Sequence, residues 1–341
     1  MFKEYIYIGG SNMLIFIKCI MALMIGLFFS LLTGLILLPV LREKKLKQQL
    51  SIYLERKHNA KKNIPTFGGL IFIIPTVFIV FIFVLFNKIK MTYNLFICLF
   101  TFIGYSIIGL IDDYLIIARK NNKGLSESTK LFLQIVLALF IFYFFLASGN
   151  EPLLWIHSFG LKVNIGWLYG IFILLVLISS SNAVNITDGL DGLASGLSII
   201  SLATFGVITA TTGWLEGYES ISIFIFVLTG SLIGFLFFNA HPAKVFMGDT
   251  GSLSLGATLG IIAILTRHEL LLVLIGFVFV VETLTCVIQR VYYKFTKKRL
   301  FPITPIHHTF ERYLEEREVV KIFWVIGLFM SMLSLIYGVW L

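Results

Sequence analysis

Residues 13 to 41 read MLIFIKCIMALMIGLFFSLLTGLILLPVL, a long apolar run that contains a single charged residue, Lys18. An apolar helix of about 20 residues matches the roughly 30 Å hydrocarbon core of a bilayer. The run is too long for the apolar part of a signal peptide, and the basic segment after it lacks a small-residue cleavage site. We therefore expect it to remain in the protein as a membrane-spanning helix.

Composition extends this interpretation to the whole chain. Of 341 residues, 58% are hydrophobic and 13% are charged, and the mean hydropathy is +0.95. We predict an all-α integral membrane protein that forms one polytopic domain over residues 1–341, because no stretch has the composition of a separate soluble domain. Apolar windows place ten spans at approximately 13–41, 68–86, 94–111, 131–147, 166–182, 192–211, 221–238, 252–265, 270–288 and 319–340.

The basic residues fall mainly on one side of the predicted membrane. Of the 27 Lys and Arg residues, 20 lie in odd-numbered connections between spans, and five lie in even-numbered connections and the tails. The positive-inside rule places the odd-numbered connections in the cytoplasm and, with ten spans, both termini outside. Because this asymmetry accounts for the net charge of +9, we do not expect nucleic acid as a partner.

The aspartates are distributed still more unevenly. Only five occur, and all lie at the edges of apolar runs on the predicted cytoplasmic side: Asp112, Asp113, Asp188, Asp191 and Asp249. Aspartates that merely cap helices or solvate loops would be expected on both faces. An ionised group at membrane depth costs about 3 kcal/mol even on lenient insertion scales. This distribution predicts a single active site that faces the cytoplasm.

The segment NAVNITDGLDGL, residues 182–193, carries Asn182, Asn185, Asp188 and Asp191 at strict three-residue spacing. Each such step falls about 60° short of a full helical turn, so the segment must bend or tighten if all four side chains are to converge. Its glycines would let backbone N–H groups approach a phosphate closely. A helix-capping turn is the alternative interpretation.

Two further motifs carry the remaining aspartates. In GLIDDY, residues 109–114, adjacent helical side chains point about 100° apart, so we expect one carboxylate to face the site while the other orients a neighbour. In NAHPAKVFMGDTGSL, residues 239–253, Asp249 lies between two glycines. Magnesium takes one or two protein carboxylates and completes its shell with water and phosphates, which fits Asp249. Phe246 is either packing or a platform for a base.

Two basic connections complete the candidates. His307 and His308 in PITPIHHTFER lack the spacing of a helical zinc pair, so a contact to pyrophosphate or a proton transfer is the functional interpretation, and solvated loop histidines are the alternative. In KHNAKKNIPTFGGL, residues 57–70, Lys61 and Thr66 are candidates for holding an anionic substrate. Anionic membrane lipids are the other expected partners of such basic residues.

In combination and order, these motifs resemble the polyprenyl-phosphate N-acetylhexosamine-1-phosphate transferase family. The resemblance covers some 250 residues, from PTFGGL at residue 65 through GLIDDY, KGL, KLFLQ, NAVNITDGLDGLA and PAKVFMGDTGSL to TPIHHTFE, which ends at residue 311. PAKVFMGDTGSL and PIHHTFE are most similar to the branch that transfers phospho-MurNAc-pentapeptide. The resemblance implies ten spans, dependence on Mg²⁺, a cytoplasmic site and the bacterial inner membrane.

The resemblance also implies a reaction and a role for each residue. Phospho-MurNAc-pentapeptide would pass from UDP-MurNAc-pentapeptide to undecaprenyl phosphate, which yields lipid I and UMP in peptidoglycan synthesis. Asp249 would bind the metal, Asp112 would act as base or lipid-phosphate partner, and Asp113 would support the same centre. Asn182, Asn185, Asp188, Leu190 and Asp191 would bind substrate around the nucleoside, with Phe246 stacked on uracil. The residues that would hold phosphate or sugar groups are Lys61, Thr66, Lys130, Asn239, His307 and His308.

This chain departs from the family pattern at two positions. Ile116 stands where a lysine is common, and Thr309 stands where a third histidine is common; Arg119, Lys120, Lys123 or Lys130 would have to replace the missing cation. A GlcNAc-1-phosphate transferase of the same family and, from another class, a secondary transporter are the alternatives, although transporters place coupling residues near the membrane midplane. The sequence leaves open a one-step or phospho-enzyme mechanism, and it leaves open the oligomeric state, a homodimer included.

Overall fold

A computed structural model describes residues 2–44, 61, 64–119, 124–156 and 160–340 of the chain. Among these, twelve α-helices and one hairpin are found, and a π-helical turn at Ile336–Trp340 ends the described chain. The helices are α1 Phe2–Glu43, α2 Leu70–Leu85, α3 Tyr93–Ala118, α4 Glu127–Ala147, α5 Leu168–Thr187, α6 Leu193–Thr211, α7 Tyr218–Asn239, α8 Gly248–Leu265, α9 Glu269–Ile275, α10 Phe277–Thr296, α11 Ile306–Phe310 and α12 Glu316–Leu335. The hairpin pairs β1 Leu153–Ile156 with β2 Leu161–Asn164.

The helical membrane fold is confirmed. Eight helices in the described part of the chain are long and apolar enough to cross a bilayer, and the bent α9–α10 pair would make nine. Helix α2, with 16 residues, accounts for the remaining predicted span. The prediction of one continuous span over 270–288 is wrong, because α9 and α10 meet at Gly276 with an 85° bend. Glycine weakens a helix interior, which is consistent with a break at that position.

Helix α8 is buried at the centre of the bundle and carries Asp249 in its first turn. Glycines let two neighbouring helices approach its backbone. A Cβ on Gly109 of α3 would lie 2.1 Å from the Asp249 carbonyl oxygen, and a Cβ on Gly256 would lie 2.2 Å from the carbonyl oxygen of Ser180 in α5. Small residues at such crossings are typical of membrane helices, which associate mainly by close packing. The packing fixes GLIDDY directly beside the GDTG turn.

Two polar motifs lie differently from the prediction. The third span continues through Asp112 and Asp113 to Ala118, so the acidic pair lies inside α3 and not at its end. Asp249 was expected in a connecting loop, but α8 already begins at Gly248. The start of α8 is stabilised by the Asp113 carboxylate, which accepts the Asp249 and Thr250 backbone N–H groups, and a hydropathy window does not register such bonds.

The hairpin in the fourth connection was not predicted. Arg267 anchors the hairpin at the end of the bundle opposite the five aspartates. Its guanidinium donates to the carbonyl oxygens of Leu153 at 2.8 Å and Glu151 at 2.7 Å. The same guanidinium donates to the Tyr169 hydroxyl at 3.1 Å, and that hydroxyl donates to Glu269 at 2.6 Å. These bonds satisfy a charge that is only 6% exposed.

Candidate active site

The centre of the site is the N-terminus of α8. Gly248 adopts a left-handed backbone with φ of +74°, and a Cβ there would lie 2.5 Å from Asp113 Oδ2 and 2.8 Å from Thr66 Oγ1. Only glycine combines this backbone with this lack of space. The turn therefore brings Asp249 into a pocket whose other walls are the acidic pair of α3 and the segment that contains Thr66.

Asp113 binds the first turn of α8. Its Oδ1 accepts from the Asp249 backbone N–H at 3.1 Å, and its Oδ2 accepts from the Thr250 N–H at 3.0 Å and the Thr250 hydroxyl at 2.6 Å. The carboxylate is buried, and both of its oxygens are used. A negative charge at a helix N-terminus also interacts favourably with the helix dipole. Asp113 thus positions Asp249. The sequence predicted that one carboxylate of the pair would orient a neighbour but did not say which one.

Asp112 faces a cation. Its Oδ1 accepts from the Leu125 N–H at 2.9 Å and lies 3.3 Å from the Lys130 ammonium. The same ammonium donates to Asp249 Oδ2. Lys130 therefore joins carboxylates from α3 and α8 at a position that is only 20% exposed. At this burial the attraction is screened less than at a surface, so the triad is tightly coupled.

Asn185 holds the other oxygen of Asp249. Its amide donates to Asp249 Oδ1 at 2.7 Å and to Ser252 Oγ at 2.9 Å. Asn182, one turn earlier on α5, instead donates to Gln134 Oε1 at 3.2 Å and to the Ile178 carbonyl at 2.8 Å. The helix drift expected for three-residue spacing therefore separates the two asparagines, and Asn182 does not contact the aspartate cluster.

The turn between α5 and α6 carries Asp188 and Asp191. Asp188 follows the last residue of α5 and makes no side-chain hydrogen bond with any described residue. Withdrawal from water, followed by the nearby charges of Asp249, Asp113 and Asp191, raises the pKa of Asp188 to about 8. All five aspartates are thus gathered at one end of the bundle.

Asp191 belongs to a separate charged cluster around Lys61. The Lys61 ammonium lies 2.6 Å from both Asp191 Oδ1 and Glu316 Oε1, and Glu316 also accepts from the Asp191 N–H at 2.8 Å. His241 Nδ1 is 3.2 Å from Asp191 Oδ2. One ligand atom each from Asp191, His241 and Glu316 lies within 4.8 Å of the others, a spacing that could also hold a metal ion. The Lys61 ammonium joins the two carboxylates of this cluster, which we call the lysine clamp.

Sequence reasoning missed Glu316 and His241. Glu316 begins α12, where Glu315 and Glu318 form a capping box, and nothing in the acidic sequence EEREV indicates a contact with Lys61. Such a contact between residues 255 positions apart depends on tertiary structure. Of the cations proposed to replace the lysine absent at Ile116, Lys130 lies in the site, Arg119 donates to the Gly124 carbonyl at 2.9 Å, and Lys120 and Lys123 lie outside the described residues.

The two histidines lie against the 188–192 turn. Their ring centroids are 4.2 Å apart, and His308 Nδ1 is 2.6 Å from Glu311 Oε2. A Cβ on Gly189 would lie 2.4 Å from His307 Nε2, so the turn fits closely against that ring. His307 is fully buried, with Nδ1 3.1 Å from Glu282 Oε2. They are therefore not solvated loop histidines.

Of the other predicted binding residues, Leu190, Asn239 and Thr66 are buried and Phe246 is half-buried. Leu190 is 3% exposed and belongs to the core, and Asn239 uses its amide to accept from Ser195 at 2.7 Å and to donate to the Val245 carbonyl at 3.1 Å. Phe246 is half-buried, and its backbone pairs with Pro65 and Gly68. The Thr66 hydroxyl is buried beside Gly248 without a hydrogen-bond partner among the described residues.

Comparison with known proteins gives the family. The model of glycosyl transferase family 4 matches residues 95–267, a range that includes Asp112, Lys130 and Asp249. A phospho-N-acetylmuramoyl-pentapeptide-transferase of Bacillus licheniformis is 39% identical over 321 residues, which cover 94% of this chain and 97% of that relative. The chain belongs to the phospho-N-acetylmuramoyl-pentapeptide-transferase family. It is an all-α, multi-pass membrane transferase with bacterial relatives.

Two more members of this transferase family give the same result. The Shouchella clausii transferase is 40% identical over 305 residues, covering 89% of this chain and 92% of the relative. The Bacillus subtilis transferase is 39% identical over 321 residues, covering 94% and 97%. The similarity therefore spans nearly the full length of these transferases.

Proposed function

We propose that this transferase moves phospho-MurNAc-pentapeptide from UDP-MurNAc-pentapeptide to undecaprenyl phosphate. An oxygen of the lipid phosphate forms a bond to the phosphorus that carries the sugar. The pyrophosphate bond to the uridine side breaks, and lipid I and UMP are the products. The names of the relatives support this substrate pair. The observation that carries the proposal is the Asp112–Lys130–Asp249 triad, which joins the first turns of α4 and α8 to a carboxylate near the end of α3, where a lipid and a water-soluble nucleotide can meet.

The oxygens around Lys130 fit Mg²⁺. Asp249 and Asp112 both present carboxylate oxygens to the half-buried Lys130 ammonium, and hard oxygen donors of this kind are what Mg²⁺ prefers. Asp249 would be the principal ligand. When bound, Mg²⁺ would neutralise the negative charge that develops on the pyrophosphate. Gly124 lets the backbone pack closely against Asp112, because a Cβ there would lie 2.6 Å from both carboxylate oxygens.

The chain's own residues would supply the remaining electrostatics. Lys130 stabilises transferring phosphate charge, and its partners hold it in place before substrate arrives. Among the described residues, Asp112 contacts Leu125 and Lys130 through Oδ1, and Oδ2 would be the oxygen that acts as base toward the lipid phosphate. Both oxygens of Asp249 are held, by Asn185 and Lys130, which favours a metal ligand over a nucleophile. We therefore favour direct transfer over a phospho-enzyme.

The nucleotide would lie beside the 188–192 turn. Lys61, oriented by Asp191 and Glu316, supplies a fixed cation on that side of the centre, and the half-buried Phe246 lies between the Thr66 segment and α8. Asn182, Leu190 and Asn239 would act by shaping the turn, since their polar groups or side chains are used within the protein. Loop charges support a cytoplasmic site with both termini outside, in one membrane domain.

Purified protein in nanodiscs tests the proposal. With Mg²⁺, UDP-MurNAc-pentapeptide and undecaprenyl phosphate it should release UMP, and EDTA should stop the release. UDP-GlcNAc is the matched control donor, and Asp249→Asn is the matched inactive variant. UMP release from UDP-GlcNAc alone, or full activity of Asp249→Asn, would contradict the proposal.

A further inference from the structure

A buried acid and a buried histidine face each other behind the site. Glu282, on α10, and His307, at the start of α11, both have side chains with no solvent exposure. Glu282 Oε2 lies 3.1 Å from His307 Nδ1 and accepts the His307 backbone N–H at 3.4 Å. Residues 25 positions apart in sequence are thus held together by two contacts to one carboxylate oxygen.

The pair is not explained as ordinary core packing. Both ring nitrogens of His307 and the Oε1 atom of Glu282 are buried without an aligned hydrogen bond to any described residue. A buried polar group without a partner costs about 1–3 kcal/mol, and a buried charge costs more. Hydrogen bonds in catalytic groups are commonly misaligned before substrate binds and tighten in the complex. The unpaired atoms therefore indicate a site that becomes satisfied on binding.

The free nitrogen of the pair points toward the aspartate turn. His307 Nε2 is the atom that a Cβ on Gly189 would meet at 2.4 Å, and Gly189 directly follows Asp188. The acid thus lies on the Nδ1 side of the ring and the turn lies on the Nε2 side. An acid bonded to one ring nitrogen fixes the tautomer and orientation of a histidine that acts through the other nitrogen.

We propose that Glu282 is a positioning residue for His307: it holds the proton on Nδ1 and directs Nε2 at the 188–189 turn, toward the phosphates of the bound nucleotide sugar. The direction of Nε2 toward these phosphates rests on the proposed function, whereas the orientation of the ring does not. Other charged groups near the ring are Asp188, across Gly189, and Glu311, which is bonded to His308.

The first arm of the test measures turnover. Glu282→Gln should lower kcat for UMP release by about 10- to 100-fold with KM changed by less than about twofold, and Glu282→Asp should recover part of the loss. The double variant Glu282→Gln/His307→Gln should be no slower than His307→Gln alone, because the acid acts through the ring. Glu269→Gln is the matched control: Glu269 is also buried, on α9, but bonds to Tyr169.

The second arm needs no turnover. Solid-state ¹⁵N NMR of histidine-labelled protein, with the signal of His307 assigned by loss in His307→Gln, should show an Nδ1-protonated ring that changes in Glu282→Gln and not in Glu269→Gln. An inactive wild-type protein with this signature would contradict the proposed function alone. An unchanged His307 signal in Glu282→Gln, or additive losses in the double variant, would overturn the positioning role.

Discussion

Asp113→Asn separates positioning of Asp249 from direct action on substrate. The carboxylate accepts two backbone N–H groups and one hydroxyl at the start of α8. An asparagine can keep the bond from the Asp249 N–H through Oδ1, but its NH₂ group would face the two donors of Thr250. Hydrogen bonds to a charged group contribute about 1.5–3 kcal/mol each, and a helix cap contributes about 1 kcal/mol. We expect a loss of about 2–4 kcal/mol of stability, together with a large loss of activity.

Two assays on the same preparation distinguish a positioning role of Asp113 from direct contact with substrate. Thermal unfolding in detergent should show a midpoint several degrees below wild type for Asp113→Asn and a smaller decrease for Thr250→Val, which removes only the 2.6 Å hydroxyl bond. UMP release should fall in the same order. Asp249→Asn should be inactive with nearly normal unfolding. An inactive Asp113→Asn protein with wild-type unfolding would refute the capping role and place Asp113 in contact with substrate.

Substitutions at four other positions test separate contacts. Lys130→Gln should reduce UMP release at least tenfold across all Mg²⁺ concentrations, whereas Lys130→Arg should retain more activity; equal activity of the two would contradict the triad. Glu316→Gln, which leaves Lys61 with one carboxylate, should raise KM for the nucleotide sugar more than it lowers kcat, as measured by initial rates. In EDTA, the free energy of unfolding of the wild type should fall as pH rises from about 4 to about 8, because Asp188 keeps its proton to a higher pH in the folded state than in the unfolded state. Asp188→Asn should show a smaller fall over the same pH range. Arg267→Lys should increase hydrogen exchange of the β1–β2 hairpin without changing UMP release, because only the anchoring bonds are reduced.

The membrane fold was predictable because its signal is local. Each apolar run identifies a helix by its own composition, and aspartates confined to one set of connections indicated that they gather. The bend at Gly276 was not predictable, since the apolar run continues through the glycine. The β1–β2 hairpin was missed because its four-residue strands carry little periodic signal.

The sequence predicted which residues belong to the site better than it predicted the contacts between them. Three-residue spacing indicated Asn185, the one-sided aspartates indicated Asp249, and the family resemblance added Lys130; the structure joins Asp249 directly to the other two. The sequence did not distinguish Asp112, which faces Lys130, from Asp113, which caps α8, because that depends on the rotation of α3 against α8. Glu316 and Glu282 contact site residues from distant helices, and no local pattern marks such contacts.

The contact between Gly109 and the Asp249 backbone has a mechanical consequence. Because this contact leaves no room for a Cβ, we expect α3 and α8 to hold the acidic pair and the GDTG turn in fixed relative positions. Any adjustment on substrate entry must then come from the surrounding connections. Gly109 should consequently tolerate replacement as poorly as an acidic residue of the centre. Loss of activity at this position in a mutational scan would then reflect helix packing and not a catalytic role.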